Sequence, residues 1–163
     1  MAEALLGLGG NLGDVRETLE RAIERLCIDD AVRLLARSGD YRTPPWGRTD
    51  QPAFVNCCIA VETALPPHAL LQRALATERA FGRDRASGER WGPRTLDVDI
   101  LAYEGVTLRE PDLILPHPRL LERAFVLIPL AEIRPEFTVN EIRIADALMR
   151  IDRSGIERLS PRA

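Results

Sequence analysis

Two carboxylates in this chain stand where a strand begins, and arginines precede them. The stretch is Glu89-Arg90-Trp91-Gly92-Pro93-Arg94-Thr95-Leu96-Asp97-Val98-Asp99-Ile100-Leu101. Gly92-Pro93 interrupts regular structure, and after it Leu96, Val98 and Ile100 alternate with Asp97 and Asp99, the period of a β-strand. In a strand, residues i and i+2 share a face about 6.6 Å apart. Asp97 and Asp99 are therefore expected to project from one face and the apolar residues from the other. Carboxylates bind hard cations such as Mg²⁺, which complete their shell with water and substrate phosphates. Arginines neutralise phosphate oxygens. An acid pair beside arginines suits metal-assisted phosphoryl transfer. Asp-x-Asp can also be the wet face of an antiparallel sheet. Asp is depleted in strands, however, and the arginines run directly into this pair, so the metal reading is preferred.

The elements that must position the pair fit one domain spanning residues 1–163. The chain is 45% hydrophobic and 29% charged with a net charge of −3, a balance that predicts a globular protein without general attraction to nucleic acid or anionic membrane. No apolar run reaches the ~20 residues of a membrane span, and the N-terminus lacks the basic start of a signal peptide. Cys27, Cys57 and Cys58 match no zinc spacing and read as reduced core residues of a cytoplasmic protein. All 22 basic residues are arginine, which excludes a Walker A lysine and a protein-kinase strand lysine.

In chain order, residues 3–8 read as a buried strand and Gly7, Gly9 and Gly10 as the opening of a loop. Asp14 with Glu17 reads as a helix cap, and Val15, Leu19, Ala22, Ile23 and Leu26 as the buried stripe of the helix that follows. Residues 31–41 read as a second strand and 54–62 as a third with Asn56 embedded in it. Between them lies a proline-rich loop with Trp46. Pro66-Pro67 starts a helix over 68–81, closed by Gly82. Residues 82–94 form a second loop carrying Arg83, Arg85, Arg90 and Arg94. The fourth strand ends near Tyr103, where Glu104-Gly105 permits a hairpin to 106–108. Pro116-His117-Pro118 holds His117 rigidly. A helix over 119–132, a weak helix over 144–151 and a frayed tail complete the chain. The order β-α-β-β-α-β predicts an α+β, ferredoxin-like sandwich with an antiparallel sheet and a helical C-terminal extension.

The chain resembles the 6-hydroxymethyl-7,8-dihydropterin pyrophosphokinase family of folate biosynthesis. Its signature, basic-x-Gly-Pro-Arg-x-x-Asp-aliphatic-Asp-aliphatic-aliphatic, is matched completely by Arg90 to Leu101. The resemblance extends to Gly10-Asn11-Leu12-Gly13, Tyr41-Arg42-Thr43-Pro44-Pro45, Asp50-Gln51-Pro52 through Asn56, and Leu115-Pro116-His117-Pro118-Arg119 with Arg123 and Phe125. It implies transfer of pyrophosphate from ATP to the pterin hydroxymethyl oxygen, with two Mg²⁺ ions on Asp97 and Asp99. By the same resemblance Arg83 and Arg94 are catalytic. Glu78, Arg85, Leu96, Ile100, His117 and Arg123 contact ATP. The pterin lies between Phe54 and Phe125, is bonded at its edge by Asn56 and Thr43, and is closed over by Pro44, Pro45 and Trp91. The implied partners are ATP and pterin alone, with the protein a monomer. Asp112 departs from the pattern, standing where some members carry a basic residue, so no phosphate contact is expected there.

Two other classes compete on the residues alone. A haloacid-dehalogenase-like phosphatase also uses Asp-x-Asp, but needs the pair after a strand near the N-terminus and a downstream lysine, and this chain has neither. A non-catalytic ferredoxin-like binding module would need no acid pair beside an arginine loop.

Overall fold

The computed structural model describes residues 1–45, 50–82 and 95–162. Expectations for Trp46, Arg83, Arg85, Arg90, Trp91 and Arg94 fall outside the described residues. In chain order the first elements are β1 (Ala2–Gly10), α1 (Val15–Leu26), β2 (Val32–Arg37), β3 (Tyr41–Thr43), β4 (Phe54–Thr63), α2 (Pro67–Ala80) and β5 (Asp97–Tyr103). Then follow β6 (Leu108–Glu110), β7 (Leu113–Leu115), α3 (Ala124–Ile133), β8 (Thr138–Val139), β9 (Ile142–Arg143), α4 (Ile144–Leu148) and β10 (Glu157–Arg158).

The main sheet is antiparallel, in the order β10-β3-β4-β1-β5, with β2 also paired to β4. Strand alternation gives it two different faces. On the first, Ala4, Leu6 and Leu8 of β1 join Cys57, Ile59 and Val61 of β4 and Val98 and Ile100 of β5. Against them pack Val15, Leu19, Ala22, Ile23 and Leu26 of α1 and Leu70 and Ala74 of α2, the predicted stripe of α1 among them. On the second face, Leu5, Cys58, Ala60 and Leu101 pack under Val126, Leu127 and Leu130 of α3 and Ala147 of α4. The adjacent cysteines thus enter opposite cores, as strand geometry requires.

The second face changes character along its strands. Leu5 is followed on the same side of β1 by Gly7 and Gly9, Cys58 of β4 is preceded by Asn56, and Leu101 of β5 by Asp99 and Asp97. The apolar core stops where α3 begins, and a polar cleft takes over.

Asp14 caps α1, its Oδ1 accepting from the Glu17 N–H at 3.2 Å. Asp14→Ala should cost about 1 kcal/mol and lower the melting midpoint by roughly 2–4 °C in a calorimetric scan, with substrate affinities unchanged.

Five expectations are corrected. Gly7, Gly9 and Gly10 belong to β1 rather than a loop. The strand expected over 31–41 is two strands, because Ser38-Gly39-Asp40 turns the chain between β2 and β3. Glu104-Gly105 makes a turn, with Val106 N–H donating to the Tyr103 carbonyl at 3.0 Å, but the hairpin forms one step later between β6 and β7. The helix expected over 119–132 is a 3-10 turn, Leu120–Glu122, then an extended Arg123 (φ −110°, ψ 107°), then α3. The tail does not fray: β10 pairs with β3.

Strand β5 ends the sheet, and its outer edge is engaged from outside. Val98 N–H donates to Glu78 Oε2 of α2 at 2.7 Å, and the Leu101 carbonyl accepts from His117 N–H at 2.8 Å. Among the described residues, no helix is long and apolar enough to cross a membrane.

Candidate functional site

The polar end of the second face is a cleft of about 820 Å³ including its open mouth. Its floor is the sheet itself: Gly7 and Gly9 from β1, Asn56 and Cys58 from β4, Asp97 and Asp99 from β5. Thr43 and Phe54 form one side, and Arg123, Phe125 and Val126, at the N-terminal end of α3, the other. Seven of the residues singled out in the sequence, spread from position 43 to 125, therefore meet in one place: Thr43, Phe54, Asn56, Asp97, Asp99, Arg123 and Phe125.

Each is held by its element. The alternation of β5 turns Asp97 and Asp99 to the cleft while Val98 and Ile100 are buried behind them. Asn56 donates from Nδ2 to Thr43 Oγ1 at 3.2 Å, across the β3–β4 pairing. The break before α3 lets Arg123 lie over the Phe125 ring, 5.6 Å from its centroid, a cation–π distance. Two aromatic walls with an amide at the floor can hold a flat heterocycle by its faces and read its edge.

A second groove lies on the other side of Asp99. It is lined by Leu71, Leu75, Ile100, Leu113, Ile114 and His117, and Asp99 borders both spaces. The His117 N–H bond to the Leu101 carbonyl pins the histidine to β5. Burial lowers the His117 pKa below its ordinary value and the nearby Arg123 adds to this, while Asp97 opposes it. Nδ1 of His117 accepts from Arg119 N–H at 3.2 Å, so the neutral ring carries its proton on Nε2. Burial also lowers the Arg123 pKa, and Asp99 pulls it back. The acid pair and these two bases thus share one electrostatic neighbourhood.

Two residues expected at ATP are buried beside the acid pair. Leu96 is fully buried and packs in the first core, because the strand alternation puts it on the side of Val98 and Ile100. Glu78 is also buried, and its carboxylate holds the Val98 backbone between the two aspartates. Pro44 is exposed and Pro45 half-buried, leading the chain away from Thr43. His68 is exposed as expected, but it has company: its Nε2 lies 3.0 Å from Glu110 and 3.4 Å from Asp112, all on the surface.

The sequence reading missed the cleft-floor glycines. A Cβ on Gly9 would sit 2.2 Å from Asn56 Oδ1. The signal was present as two glycines at i and i+2 in an otherwise apolar strand, which marks close approach of backbone or ligand. Asn11, part of the resemblance but given no role there, is buried and donates to Gln51 Oε1 and to the Pro52 carbonyl, both at 3.0 Å, anchoring the chain ahead of Phe54.

Comparison with known proteins gives consistent relatives. Residues 5–135 match the family described as 7,8-dihydro-6-hydroxymethylpterin-pyrophosphokinase (HPPK). A 2-amino-4-hydroxy-6-hydroxymethyldihydropteridine pyrophosphokinase of Methylorubrum extorquens is 50% identical over 98% of this chain and 99% of its own length. The protein of that name from Pseudomonas aeruginosa is 41% identical over 94% of each chain. Among solved structures, wild-type HPPK-DHPS of Plasmodium falciparum aligns with a TM-score of 0.66 at 15% identity, over 97% of this chain and 47% of that one. The present chain thus spans about half the length of that structure, and the likeness concerns the fold.

Proposed function

Because the chain belongs to the HPPK family, we propose that it transfers the pyrophosphoryl group of ATP to the hydroxymethyl oxygen of 6-hydroxymethyl-7,8-dihydropterin. The products are AMP and the pterin diphosphate, in folate biosynthesis. The observation that carries this reading is Asp99, which borders both the aromatic cleft and the neighbouring groove. A nucleotide in the groove and a pterin in the cleft would bring their reacting ends together beside the acid pair.

The residues divide the work accordingly. Phe54 and Phe125 sandwich the pterin, and Asn56, oriented by Thr43, bonds its edge. Arg123 and His117 meet phosphate oxygens from the α3 side, with Ile100 beneath the nucleotide. The donor set fits magnesium: two half-buried carboxylates on one strand face offer hard oxygens and leave positions for phosphates and water. When bound, Mg²⁺ held by Asp97 and Asp99, two ions in our reading, supplies charge neutralisation on the triphosphate. Arg83 and Arg94 join as catalytic arginines, Arg85 as an ATP contact, and Pro44, Pro45 and Trp91 as pterin contacts, on the family resemblance. Holding both substrates in line shortens the attack on the β-phosphorus to a positioned encounter.

We read residues 1–163 as one pyrophosphokinase domain acting as a cytoplasmic monomer, with its two small-molecule substrates as partners. Taking β2 and β3 together as one strand, its order is ferredoxin-like, with α3 and α4 covering the second face. The test is product analysis by chromatography after incubation with ATP, Mg²⁺ and the pterin. Pterin-dependent AMP that EDTA abolishes is the expected result. ADP in its place would mean single phosphoryl transfer and would overturn the reading.

A further inference from the structure

The last residues of the chain form a strap across the strand that carries Thr43. Asp152 opens it with a turn, its Oδ1 accepting from Ser154 N–H at 2.9 Å. Glu157 and Arg158 then pair antiparallel with Arg42 and Tyr41. Leu159 N–H donates to the Asp40 carbonyl at 2.8 Å, and the Ser160 carbonyl accepts from Arg16 of α1 at 2.7 Å. Between turn and strand lies Gly155, at φ +82°. A Cβ there would stand 3.1 Å from Pro44 Cγ, so the glycine backbone lies directly against the proline ring.

One carboxylate ties this strap to both sides of the cleft. Glu132, on α3, accepts from Tyr41 OH at 2.5 Å, from Gly39 N–H at 2.9 Å and from Arg158 Nε at 3.3 Å. The Arg158 guanidinium lies over Gly39, where an added Cβ would come within 2.7 Å of it. Strand β3 has three residues and pairs with β4 on one side, so few ladder bonds hold it there. The strap supplies its second edge. The strap itself, residues 152–160, lies beyond residue 135, outside the stretch matched to the family, while its partners lie within it.

We propose that residues 152–160 are a positioning element for the pterin side of the cleft. β10 fixes β3, Gly155 backs Pro44, and together they keep Thr43 Oγ1 within hydrogen-bond reach of Asn56 Nδ2. The strap touches no substrate; it acts through Thr43 and Pro44. This rests on the reading of the aromatic cleft as the pterin site.

The experiment compares KM for pterin with KM for ATP, from AMP release, in full-length Gly155→Val and in a chain ended after Asp152. Arg162→Ala, which among the described residues loses peripheral ion pairs with Asp14 and Glu20, is the control. Expected is a rise of about tenfold in KM for pterin in both strap variants, with KM for ATP within about twofold of wild type. Circular-dichroism melting establishes that each is folded. If the shortened chain does not fold, Gly155→Val decides. An unchanged KM for pterin in a folded strap variant overturns the proposal, as does an equal rise in both KM values, which would mark general loosening. Wild-type protein that makes no pterin-dependent AMP sinks the reading of the cleft itself, and the strap's role with it.

Discussion

Asp97→Ala and Asp99→Ala each lower kcat for AMP release by about 10³-fold while the melting midpoint stays near the wild-type value. The two expectations have separate causes. The loss of turnover follows from placement: both carboxylates leave β5 on the cleft side, and Asp99 borders the groove as well. Removing either takes away hard oxygen donors and negative charge from the cleft, and removing Asp99 does so where the cleft borders the groove. The preserved stability follows from the same placement. Neither residue is part of a core, and aspartate is a poor strand former. Alanine also relieves repulsion between like charges on neighbouring positions of one face. Asp97→Asn and Asp99→Asn keep the shape and remove the charge, so they should be as inactive as the alanine variants. Steady-state kinetics with calorimetry on the same samples separates the effects. Wild-type kcat in either alanine variant would remove the acid pair from the mechanism.

Gly9→Ala gives the second large effect, about 10–100-fold weaker pterin binding with ATP affinity retained. The new methyl carbon would lie 2.2 Å from Asn56 Oδ1, closer than real contacts allow, and a tight 3.2 Å from its Cγ. The Val55 carbonyl, at 3.3 Å, limits how far the methyl can move the other way. The Asn56 side chain must therefore rotate. Rotation draws Nδ2 from Thr43 Oγ1 and turns the amide away from the ligand edge. Two hydrogen bonds of ordinary strength, about 1 kcal/mol each, account for the predicted loss. Asn56→Ala should weaken binding similarly, and the double variant should be little worse than either single one, because both act through the same amide. Calorimetric titration with pterin in the presence of a non-hydrolysable ATP analogue reads the result. Additive losses would show that Gly9 acts by another route.

These two sites also show what the sequence made legible. Asp97 and Asp99 could be placed because alternation with Val98 and Ile100 is a short-range pattern with one geometric meaning. Asn56 stood out as an amide in an apolar strand. Gly7 and Gly9 read as turn residues because glycine usually is one; only the pairing of β1 with β4 shows that the side chain missing at Gly9 makes room for Asn56. The break at Arg123 carries no glycine or proline, so nothing local announces it, and it puts Arg123 and Phe125 side by side at the cleft. The pairing of β10 with β3 joins residues more than a hundred positions apart. Glu78 was placed in the right neighbourhood, but its bond to Val98 depends on how α2 docks beside β5.

That bond has a meaning for the life of the protein in a crowded cell. A strand at the end of a sheet normally offers its free backbone as a template on which another chain can add itself, the first step towards aggregation. β5 must stay at the end, because a further strand beside it would crowd the groove that Asp99 borders. Glu78 takes the Val98 amide and His117 supplies an amide to the Leu101 carbonyl, so an incoming strand finds those two positions already occupied. The two contacts that hold this edge in place also make it a poor template for a further strand.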